Sequence, residues 1–119
     1  MLLNISNHPK SEWSNEQIAE AERLFGSIVD YPFPKIPPEW DSQQTESLAN
    51  NIFNDIISGR SLQDLTVHIM GEMTFCFALI KKLQKIGIRC IASTTQRITT
   101  TQNNVIIKQF SFVRFREYT

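Results

Sequence analysis

Short apolar runs alternate along this chain with longer stretches in which apolar residues recur at helical spacing. This alternation constrains the fold more than any other feature. Apolar runs begin at Leu2, Leu65 and Ile88, and amphipathic stretches lie between them. The first pattern is typical of buried strands and the second of helices that cover a sheet. Strands and helices that alternate at this spacing predict an α/β domain with a mostly parallel sheet and right-handed crossovers.

Three helices are predicted, and each ends at a glycine. They are 14–26, 45–59 and 75–87. The first opens with a capping-box arrangement, because Ser14 stands three residues before Gln17. The third carries apolar residues over more than one stripe, with Phe77 and Ala78 among them. We therefore expect the third helix to be deeply buried or shared with a partner subunit.

Five strands are predicted, at 2–5, 27–33, 65–70, 88–92 and 105–118. The second belongs at a sheet edge, because the prolines that close it cannot donate to a ladder. Asn103 and Asn104 predict a hairpin, which makes the fifth strand antiparallel. The alternation changes phase between Phe112 and Val113, so a β-bulge is expected there. The expected architecture is a Rossmann-like three-layer domain with strand order 2-1-3-4-5.

Composition narrows the class of protein. A length of 119 residues suits one domain, so 1–119 is predicted to be a single Rossmann-like domain. A formal net charge of zero does not indicate binding to long nucleic acid or to a membrane. Cys76 and Cys90 fall in apolar patterns and are expected to be core residues in a reducing cytoplasm. No apolar stretch approaches the roughly 20 residues of a membrane span, and residues 1–5 are too short for a signal peptide.

The predicted ligand site lies beyond the carboxyl ends of the strands, between strands one and three, where the strand order reverses. Asn4, Ser6, Asn7 and His8 supply donors, acceptors and one titratable imidazole after strand one. The alternative is that Ser6, Asn7 and Pro9 simply build a turn.

The junction after strand three is a second candidate. Gly71, Glu72 and Thr74 stand where backbone N–H groups and a helix dipole can receive an anion such as phosphate. Neither a G-x-G-x-x-G motif nor a P-loop lysine is present. Alternatively, Gly71 serves tight packing and Glu72 favours the helix N-terminus. His68, on an apolar strand, is expected to be a satisfied core histidine.

A third candidate follows strand four. Hydroxyl groups and one guanidinium are concentrated there, a combination that can hold phosphate oxygens through charge-assisted hydrogen bonds. The residues of this predicted loop are Ser93, Thr94, Thr95, Gln96 and Arg97. The alternative is that Arg97 is solvated on a long hairpin strand whose threonines serve β propensity.

The polar loops 5–9 and 93–97 resemble those of the small CRISPR-associated Rossmann-fold proteins. Some stand-alone members of that group bind or cleave cyclic oligoadenylates as ring nucleases. The resemblance implies a homodimer whose loops face each other across a shared pocket for a symmetric ligand. It also implies ligand contacts, at Ser6, Asn7, Thr94, Thr95 and Arg97. This sequence has no lysine in either loop, so the resemblance leaves catalysis open.

A cleavage mechanism can be written without a metal or a cofactor. The 2′-hydroxyl of a bound RNA attacks the adjacent phosphate, Arg97 stabilises the developing charge, and His8 transfers a proton. No metal site is expected, because the histidines, Glu72 and the cysteines lack ligand spacing. Whether the chain is an enzyme stays open.

The main competing hypothesis is a non-enzymatic domain that binds a small anionic ligand or another protein. Trp13, Trp40 and the proline-rich segment 32–38 could offer an interaction surface, although tryptophans near helix starts often act as core lids. A third possibility is a purely structural dimer.

Lys108, Arg114 and Arg116 lie among phenylalanines and could form a basic aromatic surface, but packing on an edge strand is the preferred interpretation.

Overall fold

The chain folds into a five-stranded sheet flanked by three α-helices, in a computed structural model that describes all 119 residues. The elements are β1 (Leu2–Ser6), α1 (Asn15–Phe25), β2 (Ile28–Asp30), α2 (Ser42–Ser58), β3 (Thr66–Met70), α3 (Met73–Lys85), β4 (Arg89–Gln102) and β5 (Val105–Glu117). A short 3-10 helix, Lys10–Glu12, precedes α1.

The predicted fold class and strand order are confirmed. The sheet has the order β2-β1-β3-β4-β5, its first three pairings are parallel, and β4 and β5 pair antiparallel. The short parallel strands β1 and β3 are buried almost along their whole length, as expected for strands covered on both faces. The β2 strand lies at one edge, as predicted, but spans only Ile28–Asp30. Pro32 and Pro34 cannot donate to the ladder, which explains why it ends before Phe33.

The two faces of the sheet are packed unequally. Fifteen buried residues form the core between the sheet and helices α2 and α3, with Ile5, Val67 and Leu79 among them. Only five buried apolar residues join α1 to the opposite face, including Trp13 and Phe115. The face beneath α1, hereafter the α1 face, therefore has room for polar side chains. Both cysteines are buried in the larger core, as predicted, and burial raises the pKa of each thiol to about 12.

Helix starts follow the capping residues. The side chain of Ser14 accepts a hydrogen bond from the backbone N–H of Gln17, as the sequence predicts. In α2 a complete capping box joins Asp41 and Gln44, so this helix begins before its predicted start at Thr45.

The largest departure from the prediction is the length of β4. This strand does not end at Ala92 but continues to Gln102, so segment 93–97 is part of a strand and not a loop. Its threonines favour extended backbone, and β5 supplies a partner along the whole length. Asn103 and Asn104 take the positive φ values of 52° and 64° that the hairpin turn needs. The predicted bulge is confirmed, because Thr94 pairs with Arg114 while Thr95 pairs with Phe112.

The β4–β5 hairpin extends past the end of β3, since β3 pairs with β4 only as far as Ile91. The Cα radius of gyration is 15.9 Å, whereas a compact chain of this length has about 13.5 Å. The hairpin is therefore a projecting two-stranded ribbon. No helix of the fold is long and apolar enough to cross a bilayer.

Candidate functional site

Polar side chains from four strands meet on the α1 face near the carboxyl edge of the parallel strands. In the sheet register Asn4 lies level with both Asp30 and His68. Ser93 follows Ile91, which is level with His68, by two positions and therefore points to the same face. This polar network lies where β1, β2, β3 and β4 lie side by side.

His68 is the centre of the network and is 2% exposed. Its Nδ1 lies 2.9 Å from Asn4 Oδ1, and its Nε2 lies 2.7 Å from Ser93 Oγ. The rings of Trp13 and Phe115 stand edge-on to the imidazole, with centroids at 5.1 and 5.8 Å. Burial lowers the pKa of His68 from 6.5 to about 4, so the imidazole is neutral at physiological pH.

The hydrogen bonds around Asn4 decide which imidazole nitrogen carries the proton. The Asn4 amide nitrogen donates to Asp30 Oδ1 at 2.9 Å and to the His8 carbonyl at 3.0 Å. Its Oδ1 is therefore the acceptor that faces His68. Neutral His68 must then carry its proton on Nδ1 and accept at Nε2 from the Ser93 hydroxyl.

The loop after β1 is fastened to the same network through its backbone. The Ser6 hydroxyl lies 2.8 Å from Asn4 Oδ1 and 2.9 Å from the His8 carbonyl, which also accepts from Trp13 Nε1 at 3.0 Å. Asp30 accepts from the backbone N–H of Lys10 at 3.0 Å. No buried side-chain nitrogen or oxygen lacks a partner. Ser6 is thus an internal residue that closes a turn.

The side chains of Asn7 and His8 point outward. The His8 side chain is 68% exposed, and its Nδ1 lies 3.4 Å from Glu12 Oε1. Only the backbone of His8 joins the network, through its carbonyl and through its N–H, which donates to Ser6 Oγ at 3.3 Å. The imidazole predicted to transfer a proton and the guanidinium of Arg97 share no contact in this conformation.

At the junction after β3, the N-terminus of α3 is already capped by the chain itself. The Glu72 carboxylate accepts from the backbone N–H groups of Thr74 and Phe75 at 3.1 and 2.7 Å. Hydrogen bonds from the Thr74 hydroxyl and from Phe75 N–H lower the pKa of Glu72. A Cβ on Gly71 would lie 2.3 Å from the Phe33 ring, so Gly71 serves tight packing. The predicted anion contacts at Gly71, Glu72 and Thr74 therefore require Glu72 to move.

Beyond Ser93, the residues predicted as a polar loop are divided between the two faces of the ribbon. Ser93, Thr95 and Arg97 alternate along β4 and share the α1 face. The Thr94 hydroxyl is on the other side and bridges the Arg114 backbone, donating to its carbonyl at 3.0 Å and accepting from its N–H at 3.2 Å. Thr94 therefore secures the bulge.

Opposite these β4 residues, β5 presents aromatic rings. Thr95 pairs with Phe112 and Arg97 pairs with Phe110. Phe110 is 71% exposed, and Arg97 and Thr95 are exposed as well. We call Thr95, Arg97, Phe110 and Phe112 the ribbon face. The ring of Phe112 lies 4.9 Å from that of Phe115, so the ribbon face is continuous with the cluster around His68.

The sequence match extends over almost the whole chain. Residues 1–116 match the family described as Uncharacterized protein MJ1673 family. The chain belongs to this family. No curated protein matches it. The family description assigns no chemistry to the site.

A second surface of this MJ1673-family chain lies on the far side of the sheet. A groove of about 1090 Å³ runs along α3, with Trp40, Met73, Phe77 and Lys81 in its lining. Met73 is 83% exposed and Phe77 63% exposed, whereas Phe75 and Leu79 on the same helix are fully buried. The third helix is thus buried on one side only. Trp13, by contrast, is a buried lid over His68 and does not share a surface with Trp40.

Some residues of the network were not anticipated as functional. The sequence predicts only a helix-start role for Gln17, yet its Nε2 donates to Ser93 Oγ at 2.9 Å. The prediction that His68 is a core histidine with satisfied hydrogen bonds is confirmed, whereas Asp30 had no predicted role. The available signal was the polar identity of Asn4 and His68 within otherwise apolar strands, which places paired polar groups inside the sheet. No group of three or more His, Cys, Asp or Glu side chains is arranged to hold a metal ion.

Proposed function

We propose that the chain binds a small phosphate-containing ligand on the ribbon face, and that a cyclic oligoadenylate is the first candidate. The observation that carries the proposal is the pairing of exposed Arg97 with exposed Phe110 on one face of a projecting ribbon. Aromatic rings stack on bases, worth about 1–3 kcal/mol per base, and arginine pairs with phosphate oxygens. A ligand that combines bases and phosphates fits this surface better than a purely apolar one.

The position of the ribbon face supports the same proposal. It begins at Thr95, two residues beyond Ser93, and therefore continues from the carboxyl edge of the sheet. Open α/β sheets bind ligands at that edge. The loop carrying Ser6 and Asn7 ends at the same edge. The resemblance of these segments to CRISPR-associated ring nucleases favours a cyclic oligonucleotide within this ligand class.

We further propose a homodimer in the cytoplasm. A two-stranded ribbon alone is marginally stable in water, and this one exposes Val105, Ile106 and Val113 by 55–64%. A second copy would cover those side chains and present a second ribbon face to a symmetric ligand. Two buried, reduced cysteines suit the cytoplasm.

We also propose that the chain cleaves the ligand that it binds. In the metal-free scheme, Arg97 stabilises charge on the phosphate while His8 transfers a proton. The exposed position of the His8 side chain leaves it accessible to a bound ligand. Replacing His8 with alanine is expected to reduce the rate of product formation without weakening binding. Unchanged product formation in both His8→Ala and Arg97→Ala would refute this scheme.

The test of binding is incubation with cyclic tetra-adenylate and cyclic hexa-adenylate, followed by thermal shift and chromatography of the products. We expect stabilisation of the wild type that is lost in Arg97→Ala and Phe110→Ala. Lys85→Ala is the matched control, because Lys85 lies in the last turn of α3 on the opposite face. Linear product would identify an enzyme, and stabilisation without product a sensor. No shift with either nucleotide, or an equal shift in Arg97→Ala, would overturn the proposal.

A non-enzymatic protein-binding role is the second candidate, favoured by the groove along α3. Exposed Met73 and Phe77 form an apolar surface beside Lys81, whose Nζ lies 4.9 Å from the Phe77 ring centroid. Flexible methionine and aromatic side chains are common at protein interfaces. Copurification of a protein that is lost in Phe77→Ala but kept in Phe110→Ala would support this candidate over the first.

A further inference from the structure

Ser93 is surrounded by the groups that activate a serine hydroxyl. Its hydroxyl donates to His68 Nε2 at 2.7 Å, and the opposite nitrogen of the ring donates to Asn4 Oδ1 at 2.9 Å. The three residues come from β4, β3 and β1. A hydroxyl, an imidazole and a group that orients the imidazole are the parts of a nucleophilic triad.

The direction of these hydrogen bonds is the one that nucleophilic attack requires. Asn4 donates its amide protons elsewhere, so its oxygen holds the Nδ1–H tautomer of His68. That tautomer leaves a lone pair on Nε2, aimed at the Ser93 proton. In the opposite tautomer, the unprotonated Nδ1 of His68 would face Asn4 Oδ1, and both atoms are acceptors. The hydrogen bonds of His68 thus leave its Nε2 as the atom that accepts the Ser93 proton.

Two hydrogen-bond donors also lie next to the Ser93 hydroxyl. The backbone N–H of Ser93 lies 3.2 Å from the Met70 sulfur, which is a weak acceptor. The Gln17 amide donates to Ser93 Oγ at 2.9 Å. A nucleophile's own N–H and a side-chain amide are the types of donor that stabilise an oxyanion. Ser93 and Gln17 are both half-buried, so the hydroxyl lies closer to solvent than the buried imidazole of His68.

We propose that Ser93 is a nucleophile that takes a phosphoryl group from a phosphodiester, with His68 as its base and Asn4 as a positioning residue. The choice of a phosphodiester rests on the proposed function, but attack by Ser93 is an alternative to attack by the ligand's own 2′-hydroxyl in the His8 scheme. Arg97 shares a strand face with Ser93, about 13 Å further along β4, and can hold a neighbouring phosphate of the same ligand. The ligand's phosphoryl oxygen takes the Gln17 amide hydrogen bond that Ser93 Oγ receives in the free protein.

The reaction balances in two steps. Ser93 Oγ forms a bond to phosphorus as its proton passes to His68 Nε2, and the bond from phosphorus to the leaving alkoxide breaks. The alkoxide takes that proton and leaves as an alcohol. Water then attacks phosphorus, gives its proton to His68 Nε2, and the bond to Ser93 Oγ breaks. Ser93 recovers its proton, and the net change is hydrolysis of one phosphodiester bond.

The test is labelling of the whole protein with diisopropyl fluorophosphate, with the adduct located by peptide mass spectrometry. This probe phosphorylates an activated serine and needs none of the ribbon face. We expect one adduct, on Ser93, that is absent in Ser93→Ala and unchanged in Ser61→Ala, whose serine is exposed and has no imidazole partner. Because a general base contributes about 100-fold or more, His68→Gln should slow labelling by about 100-fold while circular dichroism confirms the fold.

The outcomes separate this inference from the proposed function. No adduct on Ser93, or labelling no faster than at exposed serines, would overturn the nucleophile even if cyclic tetra-adenylate still stabilises the protein. An adduct on Ser93 in a protein that shows no nucleotide shift would support the nucleophile and overturn the proposed ligand. Equal labelling rates in wild type and His68→Gln would overturn the role of His68 as base.

Discussion

Lowering the pH from about 7 to about 5 is expected to destabilise this protein by about 2 kcal/mol through His68 alone. Burial lowers the pKa of His68 from 6.5 in the unfolded chain to about 4 in the folded chain. Between these two values the unfolded chain binds more protons, so the free energy of unfolding falls as the pH falls. Below about pH 4 both states are protonated and the full difference, about 3 kcal/mol, has been lost.

The physical cause is specific to the polar network. Protonated His68 would carry a hydrogen on Nε2 and would need an acceptor there. Ser93 Oγ, which already accepts from Gln17, could serve only if its own hydrogen turned away from His68. The Trp13 and Phe115 rings on either side exclude water from the charged ring.

Urea unfolding at about pH 7 and pH 5, in wild type and His68→Gln, measures this effect. Glutamine can accept and donate hydrogen bonds but does not titrate. The two proteins therefore differ only in the titration of His68, and the contributions of all other ionisable groups cancel when their pH dependences are compared. The wild type should lose about 2 kcal/mol more than the variant. An equal loss in both proteins would refute the assignment of a buried neutral imidazole to His68.

Two further predictions concern the scaffold. Gly71→Ala should lower the free energy of unfolding by about 1–3 kcal/mol, because the added Cβ meets the Phe33 ring at 2.3 Å. Thermal denaturation measures this loss, and the double variant Gly71→Ala, Phe33→Leu should recover part of it. Asp41→Ala should cost about 1 kcal/mol by removing the capping box of α2. Urea unfolding reports that loss, and an unchanged midpoint would contradict the cap. The tests of Arg97, Phe110 and Ser93 described above complete the set.

The main features of the fold were predictable because they rest on local signals. The spacing of apolar residues and the positions of turn-forming residues predicted three helices, five strands, the edge position of β2 and the order 2-1-3-4-5. The bulge at Val113 was also visible as a change of phase in an alternating pattern. Boundaries that depend on pairing were predicted less well. Local sequence signals do not show that segment 93–97 pairs with β5, so that segment was predicted to be a loop.

Candidate site residues were predicted by position but not by contact. Ser6, Ser93 and Arg97 were selected because parallel strands end at a common edge, and the structure does place Ser93 beside β3. Their partners could not be predicted. Gln17 lies 76 positions from Ser93 along the chain, and Asn4 lies 64 positions from His68. Contacts at such separations follow from strand register and helix placement, not from spacing in the sequence.

The amino-acid sequence by itself determined the α/β layout, the caps, the hairpin turn at Asn103 and Asn104, and the core role of both cysteines, since each depends on neighbouring residues and on burial of apolar side chains. Tertiary structure alone decided that the hydroxyl of Ser93 faces His68 and that Arg97 lies opposite Phe110. The physical reason is register. A shift of one residue between paired strands would turn each of these side chains to the other face, and only packing of the whole sheet prevents it.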